Sequence, residues 1–128
     1  MPSPNYRFDP GPLNTHQLLL EEVPPHTRVL EFGSANGYMG EYLIKEKNCE
    51  LWGVEPVKEL YEEIHNYGYA KVFHMTGEEF LKLPEVQNEK FDIIFLSDVL
   101  EHMVNPGEVL TGLKHFLKPG GRFIMSIP

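Results

Sequence analysis

Three glycines, Gly33, Gly37 and Gly40, fall within eight residues of the stretch VLEFGSANGYMGEYL (29–43), and an acid, Glu31, stands two positions ahead of the first. Glycine, or a residue as small as Ala35, lets backbone N–H groups approach a ligand without side-chain obstruction. A helix beginning at Tyr38 would add partial positive charge suited to a phosphate or carboxylate. A tight turn needing positive φ at Gly33 or Gly37 satisfies the same spacing, so the loop alone leaves both readings open. Glu55, 22 residues after Gly33, closes a second apolar run. A carboxylate there can accept two hydrogen bonds from a ribose diol; on its own it is equally an acid near a helix N-terminus. Loop and acid together favour a ligand that carries ribose.

The ligand's other end separates two nucleoside classes. A dinucleotide loop, G-x-G-x-x-G, wants a small third residue inside the helix. The register from Gly33 places Tyr38 there and gives Glu31 no role, although Gly37-x-x-Gly40 keeps a nicotinamide-dependent oxidoreductase open as an alternative. S-adenosylmethionine carries an ammonium, a carboxylate and a sulfonium at its reacting end, so it asks for an acid and backbone donors together. Glu31 answers the first need, directly or by fixing the loop. A third group of polar residues lies in SDVLEH (97–102), with Asp98, Glu101 and His102. His102 suits a general base by its near-neutral titration. Two carboxylates and an imidazole are also reasonable metal ligands, but three residues in one short turn make an incomplete shell. No metal is assigned, and a local capping role for Glu101 and His102 stays open.

These residues must be positioned by a regular frame. NTHQLLLEEV (14–23) reads as a helix stopped by Pro24-Pro25, after an extended, proline-rich lead-in over 1–12. Apolar runs at TRVLEF, CELWGV, AKVFHM, FDIIFL and RFIMSIP read as five strands. Between them, YMGEYLIKEK, VKELYEEIHNY, GEEFLKL and GEVLTGLKHFL read as helices, with Met39, Tyr42 and Leu43, then Leu60, Ile64 and Tyr67, then Val109, Leu113 and Phe116 on inward faces. KPGG (118–121) reads as the turn into the last strand. Strands alternating with helices predict a parallel sheet covered on both faces, with ligands beyond the carboxyl ends of the strands. Trp52 and Phe73 fall in strands and are expected in the core.

Composition narrows the partners. The 128 residues suit one domain, and 19 acidic against 11 basic residues give a net charge of −8. That balance opposes a phosphate-tracking surface, so no nucleic acid is expected. The single Cys49 permits no internal disulfide. No apolar run approaches the roughly 20 residues that span a bilayer, and the N-terminus does not resemble a secretory signal. A cytoplasmic protein with no membrane partner is expected.

The motifs in order resemble those of the class I S-adenosylmethionine-dependent methyltransferases, from about Thr27 to the C-terminus. VLEFGSANG is similar to their first motif, E/D-x-G-x-G-x-G, with Ala35 in place of the middle glycine. GVEP resembles the segment ending at the ribose-binding acid, and MTGEEFLKLP the loop that lines adenine, without that loop's usual aspartate. FDIIFLSDVLEHMVNP and LKPGGRFIMSIP resemble the fourth-strand motif and the fifth strand. The resemblance implies a three-layer, Rossmann-like α/β sandwich with strand order 3-2-1-4-5, preceded by a lid-like segment over 1–26 and spanning 27–128. It implies S-adenosylmethionine as cofactor, held by Glu31, Gly33, Ser34, Ala35, Gly37, Tyr38, Glu55, Pro56, Thr76, Gly77, Glu78 and Ser97. Asp98 and His102 would be the catalytic groups, and a small molecule, such as a sugar or metabolite, the methyl acceptor. A non-catalytic cofactor-binding half-domain is the further alternative. The family sheet adds a sixth and a seventh strand as a hairpin beside the fifth, and neither is present here. RFIMSI would then form a bare apolar edge, predicting either a longer chain or a homodimer through that strand.

Overall fold

The computed structural model describes residues 19–33, 37–97 and 103–126. Five strands form one sheet: β1 (Arg28–Phe32), β2 (Glu50–Val54), β3 (Lys71–Phe73), β4 (Phe91–Ser97) and β5 (Leu117–Ser126). Their order is β3-β2-β1-β4-β5, and every pairing is parallel. The helices are α1 (Tyr38–Lys47), α2 (Lys58–Ile64), α3 (Gly77–Leu81) and α4 (Pro106–Leu113), with short 3₁₀ turns extending α2 through Tyr67 and α4 through Phe116. The parallel sheet is the one that the alternating pattern predicted, and its order is that of the Rossmann-like sandwich implied by the family resemblance. The expected lead-in, and the start of the helix expected over 14–23, lie outside the described residues; positions 19–21 are helical.

Alternation along the central strands divides the core into two layers. Leu30, Phe32, Trp52, Val54, Ile94 and Leu96 point toward α3 and α4, where they meet Phe80, Val109, Leu113 and Phe116. Val29, Leu51, Ile93, Phe95 and Ile124 point the other way, onto Met39 and Leu43 of α1 and onto Leu20 and Val23. The expected inward residues of α4 and its 3₁₀ extension are all buried, as are Met39, Leu43 and Ile64. Lys47 ties the segment before β1 to α1 by donating from Nζ to the carbonyls of Leu20 (2.7 Å) and Val23 (2.6 Å). At the amino ends of the strands, the Arg28 guanidinium lies 4.7 Å from the ring centres of both Trp52 and Phe91 and pairs with Glu50 (3.0 Å) and Glu89 (2.8 Å).

One boundary differs from expectation. LKPGG belongs to β5, which begins at Leu117 rather than after the glycines. The register jumps there: Phe91 pairs with Leu117, but Ile93 pairs with Arg122. The extra residues form an irregularity in which Gly120 is left-handed (φ 81°) and a Cβ on Gly121 would stand 2.9–3.1 Å from three backbone oxygens. A glycine pair reads locally as a turn, yet here it builds a bulge inside a paired strand.

Candidate functional site

The site is assembled at the carboxyl ends of β1, β2 and β3. β1 ends at Phe32, and Gly33 turns with φ 77°, donating its N–H to the carbonyl of Val54 at 3.2 Å. Four residues on, Gly37 is the left-handed N-cap of α1 (φ 85°), and a Cβ there would lie 2.5 Å from the Tyr67 ring. Both positions therefore require glycine for backbone reasons, whatever the loop binds. Ser34 and Ala35, between them, lie outside the described residues, as do Asp98, Glu101 and His102. Tyr38 opens α1, and Ser97 ends β4 beside β1.

A cavity of about 370 Å³ opens between these strand ends. Gly33, Glu55, Pro56, Thr76, Gly77 and Glu78 line it, together with Phe32, Val54, Val57 and Met103. Six residues singled out in the sequence thus converge on one space. The apolar wall was not singled out, although Val57 carries a signal: it is an aliphatic residue left 47 % exposed next to a proline. The volume suits a nucleoside-sized ligand, and an apolar wall with a few convergent polar groups is the usual make-up of such a site.

The polar groups have structural work as well. Glu55 follows β2 directly and is only 3 % exposed. Its backbone N–H donates to the Phe73 carbonyl (2.9 Å), and its Oε2 accepts the Val57 N–H (3.0 Å). The second contact folds the carboxylate back over the turn into α2 and fixes its direction. Thr76 is the N-cap of α3: its Oγ1 accepts from the Glu79 N–H at 3.1 Å while Glu79 Oε1 accepts the Thr76 N–H at 2.8 Å, a reciprocal capping box.

Glu31 does not line the cavity. It is 2 % exposed on the α1 side of β1, opposite Gly53 of β2 and Phe95 of β4. Tyr69 donates its hydroxyl to Glu31 Oε1 at 2.5 Å. Burial pushes the Glu31 carboxyl up to about 7; the Tyr69 hydrogen bond acts against this, and the charge of Glu55 adds to it. Burial, and then the neighbouring Glu31, hold the Tyr69 phenol well above its ordinary range. Tyr69 was not singled out in the sequence. Gly40 turns out to serve it: a Cβ on Gly40 would sit 1.9 Å from the Tyr69 hydroxyl oxygen. The third glycine of the stretch thus has a packing role that needs no dinucleotide.

Among the described residues, no group of three or more His, Cys, Asp and Glu is arranged to hold a metal ion, and no helix is long and apolar enough to cross a membrane.

Parallel order 3-2-1-4-5, a glycine turn after β1, an acid after β2 and a cavity at the strand tips are features of the Rossmann-like methyltransferases, and comparison with known proteins agrees. Residues 9–128 match the model of a methyltransferase domain family, and the chain belongs to that family. It is 30 % identical over 105 residues to the ubiquinone biosynthesis O-methyltransferase of Cereibacter sphaeroides (strain KD131 / KCTC 12085), a match covering 77 % of this chain and 40 % of the relative. A tRNA U34 carboxymethyltransferase of Idiomarina loihiensis is 25 % identical over 119 residues, covering 83 % and 36 %. Among solved structures, the plantazolicin methyltransferase BpumL, in complex with a monoazolic desmethylPZN analogue and SAH, superposes with a TM-score of 0.64 at 21 % identity, covering 80 % of this chain and 38 % of that one. The chain therefore spans about 40 % of the length of the curated relatives it matches.

Proposed function

We propose that the chain binds S-adenosylmethionine in the cavity between β1, β2 and β3 and forms the cofactor-holding part of a methyltransferase. The observation that carries this is the convergence of Gly33, Glu55 and the Thr76–Glu78 turn on one cavity, in a member of a methyltransferase family. Glu55 would accept the ribose hydroxyls, its direction held by the Val57 N–H. Val54, Val57, Phe32 and Met103 would pack against the adenine, burying an aromatic base against aliphatic and aromatic surface. The loop from Gly33 to Gly37 and the start of α1 would offer backbone N–H groups to the methionine carboxylate.

When bound, S-adenosylmethionine supplies an electrophilic methyl group on a sulfonium. The chain's task is then to place the acceptor on the axis opposite the sulfur, since orientation supplies most of what such a displacement needs. Ser97 closes β4 at the strand beside β1. For a hydroxyl acceptor, His102 would take the proton, with Asp98 as the other catalytic candidate, both as proposals from the sequence.

The acceptor is proposed to be a small molecule, in keeping with the net charge of −8 and with the ubiquinone-biosynthesis relative. The tRNA-modifying relative makes tRNA the competing acceptor class, so the exclusion of nucleic acid expected from charge is withdrawn. The homodimer expected through β5 rests only on that strand's place at the edge of the described sheet.

The test is titration calorimetry with S-adenosylhomocysteine (SAH), the demethylated cofactor, on the chain and on Glu55→Ala. Loss of the ribose contact is expected to weaken binding by roughly 1–3 kcal/mol. Unchanged affinity in the variant would remove Glu55 from the site.

A further inference from the structure

A buried carboxylate needs donors or a counter-charge in place of the water it has lost. Among the described residues Glu31 receives one donor, the Tyr69 hydroxyl at 2.5 Å, and the fold goes to some length to deliver it. The Tyr69 ring passes between α1 and β2 at two glycines. A Cβ on Gly40 would stand 1.9 Å from its hydroxyl oxygen, and one on Gly53 would stand 3.0 Å from its ring. Two elements thus forgo a side chain so that one phenol can reach one carboxylate.

The charged surroundings of Glu31 remain incomplete. Around it, β2 and β4 present Gly53 and Phe95, neither of them titratable. α1 presents Gly40 to the bound phenol. The titratable groups acting on Glu31 are Tyr69, which follows the 3₁₀ turn after α2, and Glu55 from the end of β2, whose charge repels it. Among the described residues no cation pairs with Glu31. Glu31 precedes Phe32 and Gly33, both at the cavity, and feels the charge of Glu55, which also lines it.

We propose that Tyr69 is a positioning residue for Glu31, and that the pair couples binding of the cofactor's cationic methionine end to ionisation of the Glu31 carboxyl. The inference rests on reading the cavity as the S-adenosylmethionine site. An arriving ammonium supplies a counter-charge that none of the described residues provides; Glu31 gives up its proton to solvent, and the phenol keeps the carboxylate in place. Tyr69 acts only through Glu31.

The experiment compares two ligands that share the adenosine and differ in the methionine end: SAH, which carries the ammonium, and 5′-methylthioadenosine, which lacks it. Titration calorimetry of the full chain from pH 6 to 8.5, in buffers of different ionisation enthalpy, reads both affinity and released protons. Affinity for SAH is expected to rise about tenfold between pH 6 and 8, as the competent ionised fraction grows, with proton release at the acid end. Affinity for 5′-methylthioadenosine stays flat. Tyr69→Phe removes the donor that favours the ionised form, so the SAH profile moves to higher pH while the 5′-methylthioadenosine profile does not move. Glu31→Gln flattens the SAH profile.

Parallel profiles for the two ligands in the unaltered chain would overturn the coupling while leaving the cavity assignment intact. Tyr69→Phe weakening both ligands equally at every pH would overturn the positioning role in favour of a purely structural one. Binding of neither ligand would overturn both this inference and the reading it rests on. If Tyr69→Phe does not fold, the unaltered chain and Glu31→Gln decide the matter.

Discussion

Glu31 and Glu55 are both almost fully buried, but the fold supports them differently. Glu55 accepts a backbone N–H from its own turn. Glu31 is buried between strands that present Gly53 and Phe95 to it, and that burial holds its carboxyl near 7 against the hydrogen bond from Tyr69. The consequence for stability has a definite sign. The folded chain keeps a proton on Glu31 from the ordinary glutamate range up to about 7, whereas the unfolded chain has lost it. Stability without cofactor is therefore expected to fall as pH rises from about 4.5 to about 7, by on the order of 3 kcal/mol, and to level off above that. Asp92 and Glu50 are held below their ordinary values by hydrogen bonds and cations that outweigh burial. Their contribution is present above the usual carboxylate range and lost at lower pH, outside this window. Urea unfolding of Glu31→Gln across pH 5–7 should show the slope removed; an unaltered slope would locate it in another group.

At the scale of elements, the close approach of α1, β2 and Tyr69 makes Gly40 a sharp test. Glycine to alanine inside a helix ordinarily gains about 1 kcal/mol. Here the new Cβ would lie 1.9 Å from the Tyr69 hydroxyl oxygen and 2.5 Å from Cζ, an overpacking that typically costs about 1–3 kcal/mol, with the Glu31 hydrogen bond lost besides. Gly40→Ala is expected to destabilise. Adding Tyr69→Phe, which deletes the nearest atom, should recover part of the loss, and strictly additive effects in urea unfolding would contradict the contact. The strands and helices themselves were legible because apolar runs of five to seven residues alternate with amphipathic ones; α1 occupies the predicted span, Tyr38–Lys47. The start of β5 was not legible, because Lys118–Gly121 has the local chemistry of a turn and only pairing with β4 makes it strand. The Tyr69–Glu31 contact spans 38 residues, and no periodicity encodes such a pair. Its trace in the sequence was an otherwise unexplained glycine in α1 and another in β2.

For the molecule as a whole, the parallel order brings three loops, distant in sequence, to one end of the sheet, where topology places ligands in folds of this kind. The acid after β2 and the glycine turn after β1 were readable because each follows an apolar run by a fixed step. The apolar wall was not, since Val57 and Met103 gain meaning only once β2, α3 and the segment after β4 are brought together. Family membership places the chain among methyltransferase domains, and the cavity proposes where the cofactor goes. The most direct measurement is a two-dimensional NMR titration of the labelled chain with SAH. The account predicts saturable amide shifts at Gly33, Glu55, Val57 and Thr76–Glu78, with the amino ends of the strands around Arg28 and Asp92 undisturbed. Saturation without shifts at those positions, or no binding at millimolar SAH, would contradict it.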